Sequence, residues 1–219
     1  MITFDRIVCI NLDRRPDRWQ GIQQQLADAG WPFGSVERFS AVDGRTVPPP
    51  RWWRAGAGAW GCHQSHVAVM QRAVQDGITS LLVLEDDAVL AEGFAHRAQE
   101  FLAAVPHDWD GLMLGGQHLN PPEMLSCGIV RVLNGNRTHA YALRSKYLIA
   151  AYQHLCDYPD HAKRPRFHVD HRLGMLHKQF RIYAPDTWLI GQGQSVSDIA
   201  EVQRGERFWS LEPGKAVAR

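Results

Sequence analysis

Lysine is scarce in this chain of 219 residues: it occurs only at positions 146, 163, 178 and 215, and the rest of the 24 basic residues are arginine. Genomic base composition explains most of that bias; recognition of oxyanions, which the planar guanidinium fork matches, is the sharper reading. Excess charge is also missing. The 24 Lys and Arg against 23 Asp and Glu leave a formal charge of +1, so no global field draws in nucleic acid or an anionic membrane. The four cysteines, at 9, 62, 127 and 156, form no CxxC pair, which argues against a zinc ribbon and a disulfide scaffold. The longest stretch without Asp, Glu, Lys or Arg runs from Ala55 to Gln71 and is interrupted by His63, Gln64, Ser65 and His66. A bilayer helix needs about 20 apolar residues, so this stretch does not qualify. MITFDRIVCINLDRR enters a strand-like run without the pattern of a secretory leader. A reduced, cytoplasmic protein is the expectation, with peripheral contact to the inner membrane left open. Neither GxxxxGK[ST] nor a GxGxxG following a strand is present, and the incomplete Gly191-Gln192-Gly193-Gln194 carries no weight.

What the chain does have is core material, with 45% apolar residues. Arg6–Leu12 and Val36–Val42 read as strands, and Pro16 opens a helix through Trp19, Ile22 and Leu26 that closes at Gly30. Residues 43–61, with three successive prolines and repeated glycines, read as a loop. Its Trp52, Trp53 and Trp60 either cover a pocket or sugar ring, or pack onto the domain as a flap. Cys62–Gln75 carries two helical stripes ending at Gly77. Strand character follows at ITSLLVLEDD, Asp110–Gly115, Gly128–Leu133, Thr138–Leu143 and Arg181–Ala184, and helical character at Phe94–Val105 and Lys146–Cys156. Alternating helices and apolar strands predict an α/β domain over 1–204, Rossmann-like, with a mostly parallel central sheet covered on both faces. A loosely held tail is expected over 205–219.

Glu85-Asp86-Asp87 ends the most apolar strand. Three adjacent carboxylates are costly unless a cation or many donors offset them, and the carboxyl edge of an open α/β sheet is where ligands bind. Alternation along the strand puts Glu85 and Asp87 on one face and Asp86 on the other, a spacing that suits a divalent cation and, through it, phosphate. An acidic turn capping the next helix is the plainer alternative. Asn11 to Arg18 places Arg14, Arg15 and Arg18 at a helix start, either as phosphate partners or as a solvated first turn. His66 lies on the buried stripe of its helix, as a core residue or a ligand. Asp170, between His168 and His171, is a base, a metal ligand, or the cap of a helix over Arg172–Lys178.

Together INLDRRPDRW (10–19), GAWGCHQSHVAVMQRAVQDGI (58–78), LLVLEDDAVL (81–90), THAYALRSKYL (138–148), VDHRL (169–173) and QSVSDI (194–199) resemble glycosyltransferase family 25, in family order over roughly residues 5 to 200. That family includes lipooligosaccharide-biosynthesis and procollagen galactosyltransferases. The resemblance implies a GT-A type fold, a UDP-sugar donor (commonly UDP-galactose), a glycan or glycolipid acceptor, and a cation such as Mn²⁺ or Mg²⁺. It makes Asp87 the direct metal ligand, with Glu85 a second ligand or, like Asp86, oriented towards the donor. It sets Asn11, Arg14 and Arg18 beside the nucleotide, His66 near the donor, and Asp170 as the general base of an inverting displacement. Leu90 where an aromatic residue is common, the short chain and the Trp- and Pro-rich loop depart from the family pattern. Two other functions fit the same acids: a nucleotidyl- or phosphotransferase, disfavoured by the missing glycine-rich triphosphate loop, and a nucleotide-sugar-binding domain without turnover.

Overall fold

A computed structural model of the chain describes residues 2–126, 128–164, 167–193, 195–196, 203–204, 207–212 and 216–217. The elements in chain order begin with β1 (Arg6–Asn11), α1 (Pro16–Asp28), β2 (Glu37–Ser40), α2 (Ala57–Gln75), β3 (Ser80–Glu85), β4 (Ala88–Leu90) and α3 (Phe94–Ala104). They continue with β5 (Gly111–His118), β6 (Glu123–Ser126), β7 (Ile129–Arg131), β8 (Gly135–Arg144) and α4 (Lys146–Cys156). After these come α5 (Tyr158–Lys163), α6 (Val169–Gly174), β9 (Ile182–Pro185) and β10 (Ile190–Gln192).

One eight-stranded sheet runs in the order β2-β1-β3-β8-β5-β9-β7-β6. Only β7 and β8 run against the other strands, so the sheet is mostly parallel, as its apolar runs predict. Those runs lack an alternating polar face because both faces are covered. Val8, Ile10, Leu81 and Val83 face a core shared with α2, α4 and α6. Their neighbours Ile7, Cys9, Leu82 and Leu84 face a second core closed by α1 and α3. This is the two-faced, Rossmann-like α/β architecture expected. Reversed β8 lies against β3 with Val83 opposite Tyr141 and Leu84 opposite Ala140, which brings β8 side chains to the acidic end of β3.

The loop reading of 43–61 needs correction, because α2 begins at Ala57. The glycines read as helix breakers serve a close approach of backbones. A Cβ at Gly61 would stand 2.5 Å from the Gly44 nitrogen and 2.5 Å from the Val42 carbonyl oxygen. One at Gly44 would stand 1.8 Å from the Ala57 carbonyl oxygen. The 42–44 segment is thereby seated on the start of α2, with the Val42 amide donating to Ser65 Oγ at 2.8 Å. Gly44→Ala is expected to destabilise the fold by about 1–3 kcal/mol through overpacking, read as a lower midpoint in urea.

The tryptophans take the packing alternative: Trp53 and Trp60 are buried in a cluster with Trp52 and Tyr158. Asp170 does not cap a helix over Arg172–Lys178. The helix starts earlier, with the Arg172 amide on the His168 carbonyl, and Asp170 sits in the first turn of α6. Of the stretch read as a tail, Phe208 and Trp209 are packed into the core, each 5% exposed. The rest of 205–219 is described only at 207, 210–212 and 216–217, and of QSVSDI only 195–196 lie among the described residues. Among the described residues no helix is long and apolar enough to cross a membrane.

Candidate active site

Parallel strands leave their carboxyl ends at one edge of the sheet, and crossovers there open a crevice. In this chain the ends of β1 and β3, the 41–45 segment and the start of α2 enclose a cavity of about 420 Å³. Arg14, Arg18, His66, Glu85, Asp86 and Asp87 all line it. Ala57 and Gly58 contribute the first turn of α2, which no side chain caps and which holds no acid, so its amide end is available to an anion.

The three acids reach different partners. Glu85 Oε1 accepts from Thr138 Oγ1 at 2.5 Å and from His66 Nε2 at 3.2 Å. His66 is fully buried, and its Nδ1 lies 2.8 Å from the Tyr141 hydroxyl. Both ring nitrogens of His66 are therefore engaged, Nδ1 with the Tyr141 hydroxyl and Nε2 with Glu85. Burial pushes the Glu85 carboxyl up, but His66 and Thr138 outweigh it and hold it below its ordinary value. His66 therefore holds Glu85 in place and is not a free donor contact. Tyr141→Phe leaves Nδ1 buried without a partner, an expected loss of about 1–3 kcal/mol, measurable by thermal unfolding.

Asp86 turns to β1 and α1, where Oδ2 accepts from Asn11 Nδ2 at 2.7 Å and Oδ1 from Arg18 Nη1 at 3.1 Å. Burial raises its pKa, opposed by Asn11 and Arg18. Asn11 also donates to the Arg15 carbonyl and accepts from Arg38 Nε at 2.8 Å. It braces the acids from behind, and is not among the residues lining the cavity. Arg14 Nε lies 2.8 Å from Asp43 Oδ2 at the cavity wall.

Asp87 differs from its neighbours. Its Oδ2 accepts from Gln192 Nε2 at 2.9 Å, while Oδ1 is buried with no partner. Burial first, then the charges of Glu85 and Asp86, push its pKa up to about 7. A desolvated carboxylate oxygen beside two further acids is a position a divalent cation would stabilise. Oxygen donors of this kind suit a hard ion of the Mn²⁺ or Mg²⁺ class.

Asp170 is not among the residues lining this cavity. It lies on α6, where its Oδ1 accepts from the His171 amide at 2.8 Å and pairs with His171 Nδ1 at 3.0 Å. Burial opposes ionisation, but the hydrogen bonds and charge of His171 prevail and hold Asp170 below its ordinary value; the pairing raises His171 in return. The Arg137 amide points at Asp170 Oδ2 at 3.4 Å, and the next residue, Thr138, bonds Glu85. Asp170 and Glu85 thus meet adjacent residues of β8.

Thr138, Tyr141 and Gln192 are site residues that the sequence reading missed. Thr138 and Tyr141 fall within a strand read for its apolar content. Gln192 lies in the glycine pattern given no weight, yet Gly193 donates to the Asp87 carbonyl at 2.6 Å, and a Cβ at Gly191 would stand 2.7 Å from the Arg207 carbonyl oxygen. The glycines let this segment press against the acidic turn.

Residues 4–118, which hold β1, α2 and all three acids, match the family model described as glycosyltransferase family 25 (LPS biosynthesis protein). The chain belongs to glycosyltransferase family 25. Its similarity to the human inactive glycosyltransferase 25 family member 3 is 30% identity over 172 residues, 65% of this chain and 28% of that protein. A glycosyltransferase 25 family member of Drosophila pseudoobscura pseudoobscura is 33% identical over 103 residues, 39% of this chain and 16% of that one. This chain therefore spans between 16% and 28% of the length of the curated relatives it matches. Mouse xyloside xylosyltransferase 1 superposes with a TM-score of 0.41 at 12% identity, over 80% of this chain and 68% of that one, too loosely to transfer function.

Proposed function

We propose that this family 25 domain transfers a hexose, of the galactose class, from a UDP-sugar to a hydroxyl of a glycan or glycolipid, with inversion and with Mn²⁺ or Mg²⁺ bound. The observation that carries the reading is Asp87, with its buried, unpartnered Oδ1 on a cavity that also presents Arg14, Arg18 and the open end of α2. A cation position beside anion-binding groups is what a departing nucleoside diphosphate requires.

Asp87 would hold the cation, with Glu85 as a second carboxylate, and when bound the cation supplies charge stabilisation to the leaving diphosphate. Arg14 and Arg18 would face the phosphates, exchanging part of their pairing with Asp43 and Asp86 for the donor. His66 and Thr138 fix the Glu85 carboxylate so that it does not reorganise during transfer. Asp170, kept ionised at neutral pH by His171, would take the acceptor hydroxyl's proton.

Several relatives bear the word inactive in their names, which favours the binding-domain alternative enough to test it. Thermal unfolding with UDP, GDP, CMP, UDP-sugars and nucleoside triphosphates, each with and without Mn²⁺, sorts the readings. A ligand at a hundredfold excess over Kd adds about 2.7 kcal/mol. The transferase reading expects a Mn²⁺-dependent shift with UDP, and UDP release from the UDP-sugar in the presence of an acceptor. A shift without turnover supports the binding domain, a shift with triphosphates alone the nucleotidyltransferase, and no shift in folded protein overturns all three.

A further inference from the structure

Cys62 and His66 stand one turn apart on α2, at i and i+4, and so share a face of the helix. The Cys62 sulfur, a His66 ring nitrogen and a Glu85 carboxylate oxygen lie within 4.8 Å of one another. All three residues line the cavity. Their chemistry differs from that at Asp87. Sulfur and imidazole select a borderline-soft cation, whereas carboxylates alone select a hard one. Three protein ligands on an open wall leave a fourth position for water or another small ligand. The outer contact that a metal-bound histidine needs is also built in, since Tyr141 Oη lies 2.8 Å from His66 Nδ1.

We propose that Cys62, His66 and Glu85 form a binding site for a Zn²⁺-class cation, distinct from the hard-cation position at Asp87 but sharing the Glu85 carboxylate with it. When the metal–sulfur bond forms, the Cys62 thiol proton leaves to solvent. His66 offers the Nε2 lone pair to the metal and carries its ring proton on Nδ1, where the Tyr141 oxygen accepts it. Glu85 exchanges its bond from His66 for the metal and keeps the one from Thr138. The transferase reading makes no use of the Cys62 sulfur, so a signal from that thiolate tests this site apart from it.

Co²⁺ is the probe, because thiolate ligation gives an intense near-ultraviolet charge-transfer band that oxygen and nitrogen ligation do not. Added to the full chain under reducing conditions, one equivalent of Co²⁺ should produce that band, and one equivalent of Zn²⁺ should remove it. Cys62→Ser, shown folded by its far-ultraviolet circular dichroism, should lose the band. Asp87→Asn should keep it. A wild-type protein without the band overturns the proposal, as does a band that persists in Cys62→Ser and so belongs to another cysteine. Loss of the band in Asp87→Asn overturns the separation of the two positions. If the chain binds no uridine nucleotide but shows the Cys62-dependent band, the transferase reading fails and the metal site stands.

Discussion

Asp87→Asn is expected to make the ligand-free protein more stable while abolishing its Mn²⁺-dependent response to UDP. The two effects share one cause. In the folded chain Asp87 titrates near 7 instead of its ordinary 3.8, because burial and the neighbouring Glu85 and Asp86 charges disfavour its ionised form. Between those values the native state keeps a proton that the unfolded chain has released. Stability therefore falls as pH rises from about 4 to about 7, and the deficit persists above that. At 1.36 kcal/mol per pKa unit, the full deficit is on the order of 4 kcal/mol. Asparagine cannot ionise, so the variant's advantage should be near zero at pH 4 and largest above pH 7. Urea midpoints at pH 5 and pH 8 read this directly. In the same variant the Mn²⁺-dependent stabilisation by UDP, about 2.7 kcal/mol at a hundredfold excess over Kd in the wild type, should vanish. A variant no more stable at pH 8, or one that still responds to Mn²⁺ and UDP, would show that Asp87 is not held there for a cation.

Such a trade of stability for binding is legible in the sequence, because three acids directly follow the buried run LLVL. The strands are legible for the same reason. Two-faced burial makes β1, β3 and β5 nearly continuous apolar runs, and their positions are read within a few residues. What the sequence conceals is long-range pairing. Nothing local marks Thr138 and Tyr141 as supports for Glu85, because they come 53 and 75 residues after their partners and only the reversal of β8 brings them there. The start of α2 was hidden because Gly44 and Gly61 serve backbone contact, which resembles loop composition when read locally. Asp170 is legible only through motif order: the fold sets it on α6 against the Arg137 amide, and it is not among the residues lining the acidic cavity.

Arg172 sets Asp170 in that position, and Arg172→Met should cost about 3 kcal/mol. Its side chain is completely buried, and it is the largest side chain in the fully buried set. Nη1 pairs with Asp160 on α5, and Nη2 donates to the His154 carbonyl on α4 at 3.2 Å. One guanidinium therefore ties α6, two residues after Asp170, to both preceding helices. Methionine fills much of the volume but cannot make these bonds, and leaves the His154 carbonyl with the Asp157 amide alone. The loss stays near the lower end for a broken buried pair because Asp160 remains 23% exposed and can rehydrate. Arg172→Lys should rescue only part of it, since one ammonium cannot span both acceptors with the geometry of the fork. Because α6 and the acidic cavity are built on different elements, Arg172→Met should leave Mn²⁺-dependent UDP stabilisation intact. Turnover should fall with the displaced base. Loss of UDP binding alongside turnover would instead mean that α6 supports the donor cavity itself.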